Sequence, residues 1–108
     1  MSARRPENPI ERCVGFEWDD WNTVKNWECH RVASEEAEDV FFHDPMLFRR
    51  DSGHSNAEAR YQAMGETRGG RLLLVVFTVR KNLIRVISAR DLNRKEQEAY
   101  RKYEKENS

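Results

Sequence analysis

The sequence predicts an α+β fold in which helices pack on an antiparallel sheet, and three observations carry that prediction. The apolar stretches RYQAMGE, RLLLVVFTV and LIRVISA are joined by short connections, first around Gly69 and Gly70, then around Lys81 and Asn82. Successive hairpins have this pattern. Two segments with helical spacing, DDWNTVKNWECH and SEEAEDVFFHDP, come before the strands, and a capped helical tail, NRKEQEAYRKYEKE, comes after them. A chain of 108 residues supports one core. The expected organisation is a flexible N-terminal arm over 1–12 and a single domain over 13–108.

Each element has a local reason. The first twelve residues are polar, carry two prolines and both signs of charge, and read as an arm. CVGFEW alternates Val14, Phe16 and Trp18 toward one side, which predicts a short strand with one buried face. In the first helix Trp21, Val24 and Trp27 form the expected inner stripe, with Asp19 or Asp20 as cap. Trp18 and Trp21 are assigned to the core rather than to base stacking. In the second helix Ser34 is the expected N-cap. Glu35 and Glu36 lie in its positive first turn, and Ala37, Val40 and Phe41 face inward. Asp44-Pro45 stops it.

MLFRR reads as a strand and DSGHSNAE as a polar loop. RLLLVVFTV is apolar on both sides and should be central. In the tail, Asn93 with Glu96 three residues on forms a capping box, which satisfies two free amides.

Composition narrows the function classes. Net charge is +0, but residues 71–108 hold ten Lys or Arg against five Asp or Glu, and residues 16–70 hold six against twelve. That split suits either an anionic ligand on the basic half or attraction between the halves. No stretch approaches the ~20 apolar residues of a membrane span, and MSARRPENPI lacks the apolar segment of a secretory signal. A cytoplasmic protein is expected, with no cofactor. Cys13 and Cys29 then fit reduced thiols. Cys29 beside His30 is no metal motif, since His43 and His54 stand at no recognisable ligand spacing.

The arginines in the strands are the feature that asks for a ligand. If Lys81-Asn82 is a two-residue turn, Arg80 faces Leu83 and Thr78 faces Arg85, so Thr78, Arg80 and Arg85 share one sheet face. Val75, Phe77, Val79, Ile84 and Val86 share the other, where helices would dock. Arg60 joins Arg80 if the TRGG connection uses three residues and points away if it uses two. The cations could hold a phosphate, or pair with Glu17, with Glu58 or with the acidic helix at 35–39.

Taken in order, FEWDD at 16–20, Asn26, His30, Val32, EEA at 35–37, HDP at 43–45, EAR at 58–60, Gly65, LLLVVFTVR and IRVISAR resemble the BrnT toxins of bacterial toxin–antitoxin pairs. The similarity runs from about Phe16 to Tyr100. It implies a RelE-like α+β fold: an antiparallel sheet with two N-terminal helices and a C-terminal helix. It also implies a metal-independent RNA endonuclease that inhibits translation. A cognate antitoxin, BrnA-like, would neutralise it in a heteromeric complex that contacts DNA only through the antitoxin.

The same resemblance implies the residues of interest: His30, Arg60 and Arg80, read as catalytic, and Arg85, Ser88 and Arg90, read as RNA-binding, to which the position of Tyr100 in the last helix adds a further RNA-binding candidate. In such a site Arg60 and Arg80 would hold the scissile phosphate and Arg85 and Arg90 its neighbours. His30 would move a proton, with Glu58 as the competing base. Tyr100 would donate or stack, against the alternative of packing inward. Family members commonly read Lys-His-Gly where this chain reads Cys29-His30-Arg31, and an aromatic residue at Ser34. The alternative function is therefore a catalytically degenerate protein-binding module of the same fold.

Overall fold

LLLVVFTVR has apolar side chains pointing both ways, and it forms the middle strand of the sheet. The chain runs through β1 (Gly15–Glu17), α1 (Asp20–His30), α2 (Ser34–Phe42), β2 (Leu47–Asp51), β3 (Arg60–Glu66), β4 (Leu72–Arg80), β5 (Leu83–Asp91) and α3 (Arg94–Glu106). The structure is a computed structural model that describes residues 9–51 and 59–107. Most of the expected arm, the loop at 52–58 with His54 and Glu58, and Ser108 lie outside the described residues. Pro9–Arg12, the end of that arm, forms a single 3-10 turn, and Ile10 packs on the core.

The sheet order is β1-β5-β4-β3-β2. Strands β2 to β5 pair antiparallel, as the hairpin pattern predicts, but β1 lies parallel to β5, with Phe16 opposite Ile84 and Glu17 opposite Arg85. The sheet is therefore mixed. No hairpin joins β1 to its neighbour, so no turn dictates its direction.

Alternation along the strands divides the core. Leu73, Val75, Phe77, Ile84, Val86 and Ala89 face α2 and pack with Val32, Ala37 and Val40. Phe41 meets Phe77 edge-on at 5.0 Å. The α2 helix comes so close to β3 that a Cβ on Gly65 would lie 3.0 Å from Val40 Cγ1. On the other face Leu74, Met64, Leu92 and Tyr100 form a smaller cluster under α3. The helix begins as its sequence predicts: Asn93 Oδ1 accepts the Glu96 amide and Glu96 Oε1 accepts the Asn93 amide.

Two expectations fail for identifiable reasons. In α1 the apolar stripe faces outward: Trp21 is 73% and Trp27 49% exposed, and the helix buries Asn26 instead. After β1 ends at Glu17, α1 continues along the free edge of β5, where Asn26 Oδ1 accepts the Ala89 amide at 3.2 Å. The edge needs an acceptor more than an apolar surface, and this turns the helix. Trp18 is half-buried against the core, with Nε1 donating to Glu38 at 2.6 Å. In α2 the N-cap is Ala33 rather than Ser34. No side-chain cap bond forms there, and Glu36 accepts the Ala33 amide instead.

One residue that no sequence pattern marks holds a corner of the fold. Arg71 binds Asp91 through Nε at 2.7 Å and Nη2 at 2.9 Å, and donates to the carbonyls of His30 and Arg31. It also pairs with Glu36 at 3.3 Å. The C-terminus of α1, the start of α2 and the ends of β4 and β5 are thus joined at one guanidinium.

Candidate active site

Two turns decide where the arginines point. Lys81 and Asn82 have φ of 52° and 60°, the left-handed pair of a two-residue type I′ hairpin, and Arg80 pairs with Leu83 and Thr78 with Arg85. At the preceding hairpin the Thr67 amide bonds to the Arg71 carbonyl at 2.8 Å, closing a three-residue loop, Arg68-Gly69-Gly70, with Gly70 at φ 87°. Met64 then pairs with Leu74 and Gln62 with Val76. By alternation Arg60 shares the face of Thr78, Arg80 and Arg85. The parity left open in the sequence is resolved in favour of convergence.

A third device is a bulge. Between Val76 and Phe77 the register of β5 shifts, so that Phe77 pairs with Val86 but Val76 with Ser88, leaving Ile87 as the extra residue. Arg85 and Arg90 are five positions apart and strict alternation would put them on opposite faces. The bulge returns Ser88 and Arg90 to the face of Arg85.

The half of this face that α3 leaves open holds a cleft of about 250 Å³ lined by Glu17, Trp18, Asp19, Arg80 and Arg85. Arg85 donates from Nη2 to Asp19 Oδ2 at 3.3 Å, and its Nε lies 4.0 Å from Glu17 Oε1. The partners of Arg85 are therefore these two carboxylates and not the acidic helix at 35–39. Both oxygens of Asp19 are engaged, since Oδ1 accepts the Trp21 amide as N-cap of α1. Glu17 is held more loosely. Thr78, between the strands that carry Arg60 and Arg85, is buried, and its hydroxyl has no partner among the described residues.

The remaining candidates stand elsewhere. His30 ends α1, eleven residues beyond Asp19, or roughly 16 Å along a helix. Its carbonyl accepts from Arg71, at the end of the sheet opposite Arg80. It does not join Arg60 and Arg80. Cys29 and Arg31 lie at that same distant end, with the Arg31 guanidinium 5.5 Å from the Trp27 ring.

Arg90 shares the face, but its guanidinium grips Glu96 through two bonds of 2.8 and 2.9 Å at the start of α3. Tyr100 is fully buried, and its hydroxyl donates to the Pro45 carbonyl at 2.8 Å. Burial pushes this phenol up to about 12. Of its two sequence readings, inward packing holds, and Tyr100 offers no surface for stacking. Glu17 and Asp19 are the site residues the implied set omitted. The signal was available in FEWDD, which places two carboxylates either side of Trp18 at the end of a strand.

Among curated proteins no sequence matches significantly. The crystal structure of the Brucella abortus ribonuclease toxin BrnT superposes with a TM-score of 0.56 at 20% identity, over 75% of this chain and 99% of that one. That likeness establishes a shared fold. Residues 18–96 match the family described as the ribonuclease toxin, BrnT, of type II toxin–antitoxin systems. This span reaches from the tryptophan of the cleft to the glutamate that Arg90 holds, most of the folded chain. Its partners by class are an RNA and an antitoxin, and the chain belongs to the BrnT family of ribonuclease toxins.

Proposed function

We propose that the chain is an RNA endonuclease that works without a metal ion, inhibits translation in the cytoplasm and is silenced by a cognate BrnA-like antitoxin. The antitoxin, not the toxin, would make any DNA contact of the complex. One observation carries the reading: Arg80 and Arg85 line a cleft with Glu17, and Arg60 projects from the same sheet face.

In cleavage at a ribose 2′-hydroxyl a base takes that proton, the 2′-oxygen bonds to phosphorus as the bond to the 5′-oxygen breaks, positive charge stabilises the phosphorane oxygens, and the leaving 5′-oxygen takes a proton from solvent. Glu17 is the base, because it is the cleft carboxylate with the looser ion pair. Arg80 and Arg85 hold the phosphate, with Arg60 beside them. Their fixed charges strengthen as negative charge builds on phosphorus, a contribution of roughly 3 kcal/mol for one well-placed donor. Asp19 positions Arg85. Among the described residues no helix is long and apolar enough to cross a membrane.

The alternative of a degenerate binding module rested on Cys29-His30-Arg31. Those residues lie at the far end of α1, so their departure from the family pattern leaves the cleft untouched, which favours the enzyme.

The test is induction of wild type, Arg80→Ala and Glu17→Gln in a bacterial culture, with total RNA examined and purified protein assayed in EDTA. Growth arrest and EDTA-resistant RNA fragments for wild type alone support the reading. Cleavage retained by both folded variants sinks the assignment.

A further inference from the structure

A second cluster of chemistry lies away from the cleft, at the opposite end of the sheet. Glu66 pairs with Leu72 there, eight residues of β4 from Arg80, or roughly 26 Å. The hydroxyl of Tyr100 docks α3 against the turn that follows α2. One helical turn on, Glu104 comes beside His43 at the end of α2 and Glu66 at the end of β3. The ligand atoms of these three half-buried residues all lie within 4.8 Å of one another.

We propose that His43, Glu66 and Glu104 form a binding site for a divalent transition-metal ion, of which Zn²⁺ and Mn²⁺ are the probes. One imidazole nitrogen and two carboxylates suit such ions. Donors around tetrahedral zinc stand about 3.4 Å apart, so rotamer changes of about 1 Å close the set.

Arg101 now occupies the carboxylates, donating to Glu104 at 2.8 Å and to Glu66 at 3.4 Å. Its side chain is 51% exposed and can swing into solvent. Arg101 is a stand-in cation, and an arriving ion displaces it.

An ion here ties the end of α2, the end of β3 and α3 together. It is structural, and it is independent of RNA cleavage.

The experiment is calorimetric titration of ZnCl₂ and MnCl₂ into the full chain carrying Cys13→Ser and Cys29→Ser, so that thiols cannot bind. One ion per chain is expected. His43→Ala or Glu104→Gln should weaken it by ~10-fold or more. Arg101→Ala should tighten it several-fold, the result a mere salt-bridge cluster would not give. Circular dichroism confirms that each variant folds. No saturable uptake by the parent and Arg101→Ala chains, or uptake unchanged in His43→Ala, would overturn the proposal.

Discussion

Asp19 joins the start of α1 to Arg85. One carboxylate oxygen caps the helix at the Trp21 amide, 2.8 Å away, and the other accepts the Arg85 guanidinium at 3.3 Å. The geometry of the cleft and the stability of the helix therefore depend on one side chain. Asp19→Ala should lower stability by about 1 kcal/mol through the lost cap. Asp19→Asn, which keeps a capping oxygen, should lose less, because an ion pair still open to solvent contributes little. Urea melts of the two variants separate the effects: equal losses would mean that the ion pair dominates.

The C-terminus of α1 is strained in a way glycine would relieve. Arg31 sits at φ 53° and ψ 40°, with its amide bonding back to Asn26 and Trp27. This left-handed cap costs an L-residue about 1 kcal/mol. The cation–π contact with half-exposed Trp27 returns about 0.5 kcal/mol. Arg31→Gly should thus stabilise by a few tenths to about 1 kcal/mol in thermal or urea melts. A destabilised variant would show that the stacking outweighs the backbone.

Tyr100 should report on α3 at alkaline pH. Its folded pKa is raised, mainly by burial, to about 12, against about 10 for a free phenol. Its contribution to stability is therefore complete below about pH 10 and is lost as pH rises toward 12. Absorbance at the phenolate band should show a late component that coincides with loss of structure and is missing in Tyr100→Phe.

Acid should act at the start of the same helix and at the strand end before it. The Arg90 hydrogen bonds hold Glu96 below its ordinary range, and those of Arg71 do the same for Asp91. Depressed folded values mean that this stability is present above about pH 4 and disappears as pH falls through the folded values. Urea midpoints measured from neutral pH downward should fall less steeply for Arg90→Ala than for wild type. Parallel curves would remove Arg90 from the acid response.

What could be read from the sequence was whatever local pattern decides. The hairpins, the Asn93–Glu96 box, the central place of LLLVVFTV and the shared face of Thr78, Arg80 and Arg85 follow from alternation and turn chemistry. What could not be read needed a partner distant in sequence. The outward Trp21 depends on an edge amide at Ala89. The parallel β1 depends on a neighbour sixty-eight residues away, Gly15 opposite Leu83. Arg71 looked like an ordinary residue before a strand, and its side-chain partners come from three other segments, the end of α1, the start of α2 and the end of β5. The bulge at Ile87 leaves no mark in LIRVISAR, yet it decides which way Ser88 and Arg90 point.

The central strand carries one more consequence, for the chain before it folds. Leu72–Val79 contains no charge and no proline, the profile of a segment that stacks with copies of itself when its neighbours are not yet paired. Arg71 and Arg80 stand at its two ends as gatekeepers, whose repulsion keeps nascent copies apart. Arg80 thus guards solubility as well as holding phosphate. Arg80→Ala should partition further into inclusion bodies than Arg85→Ala at equal expression; equal partition would show that the cation at the strand end plays no such part.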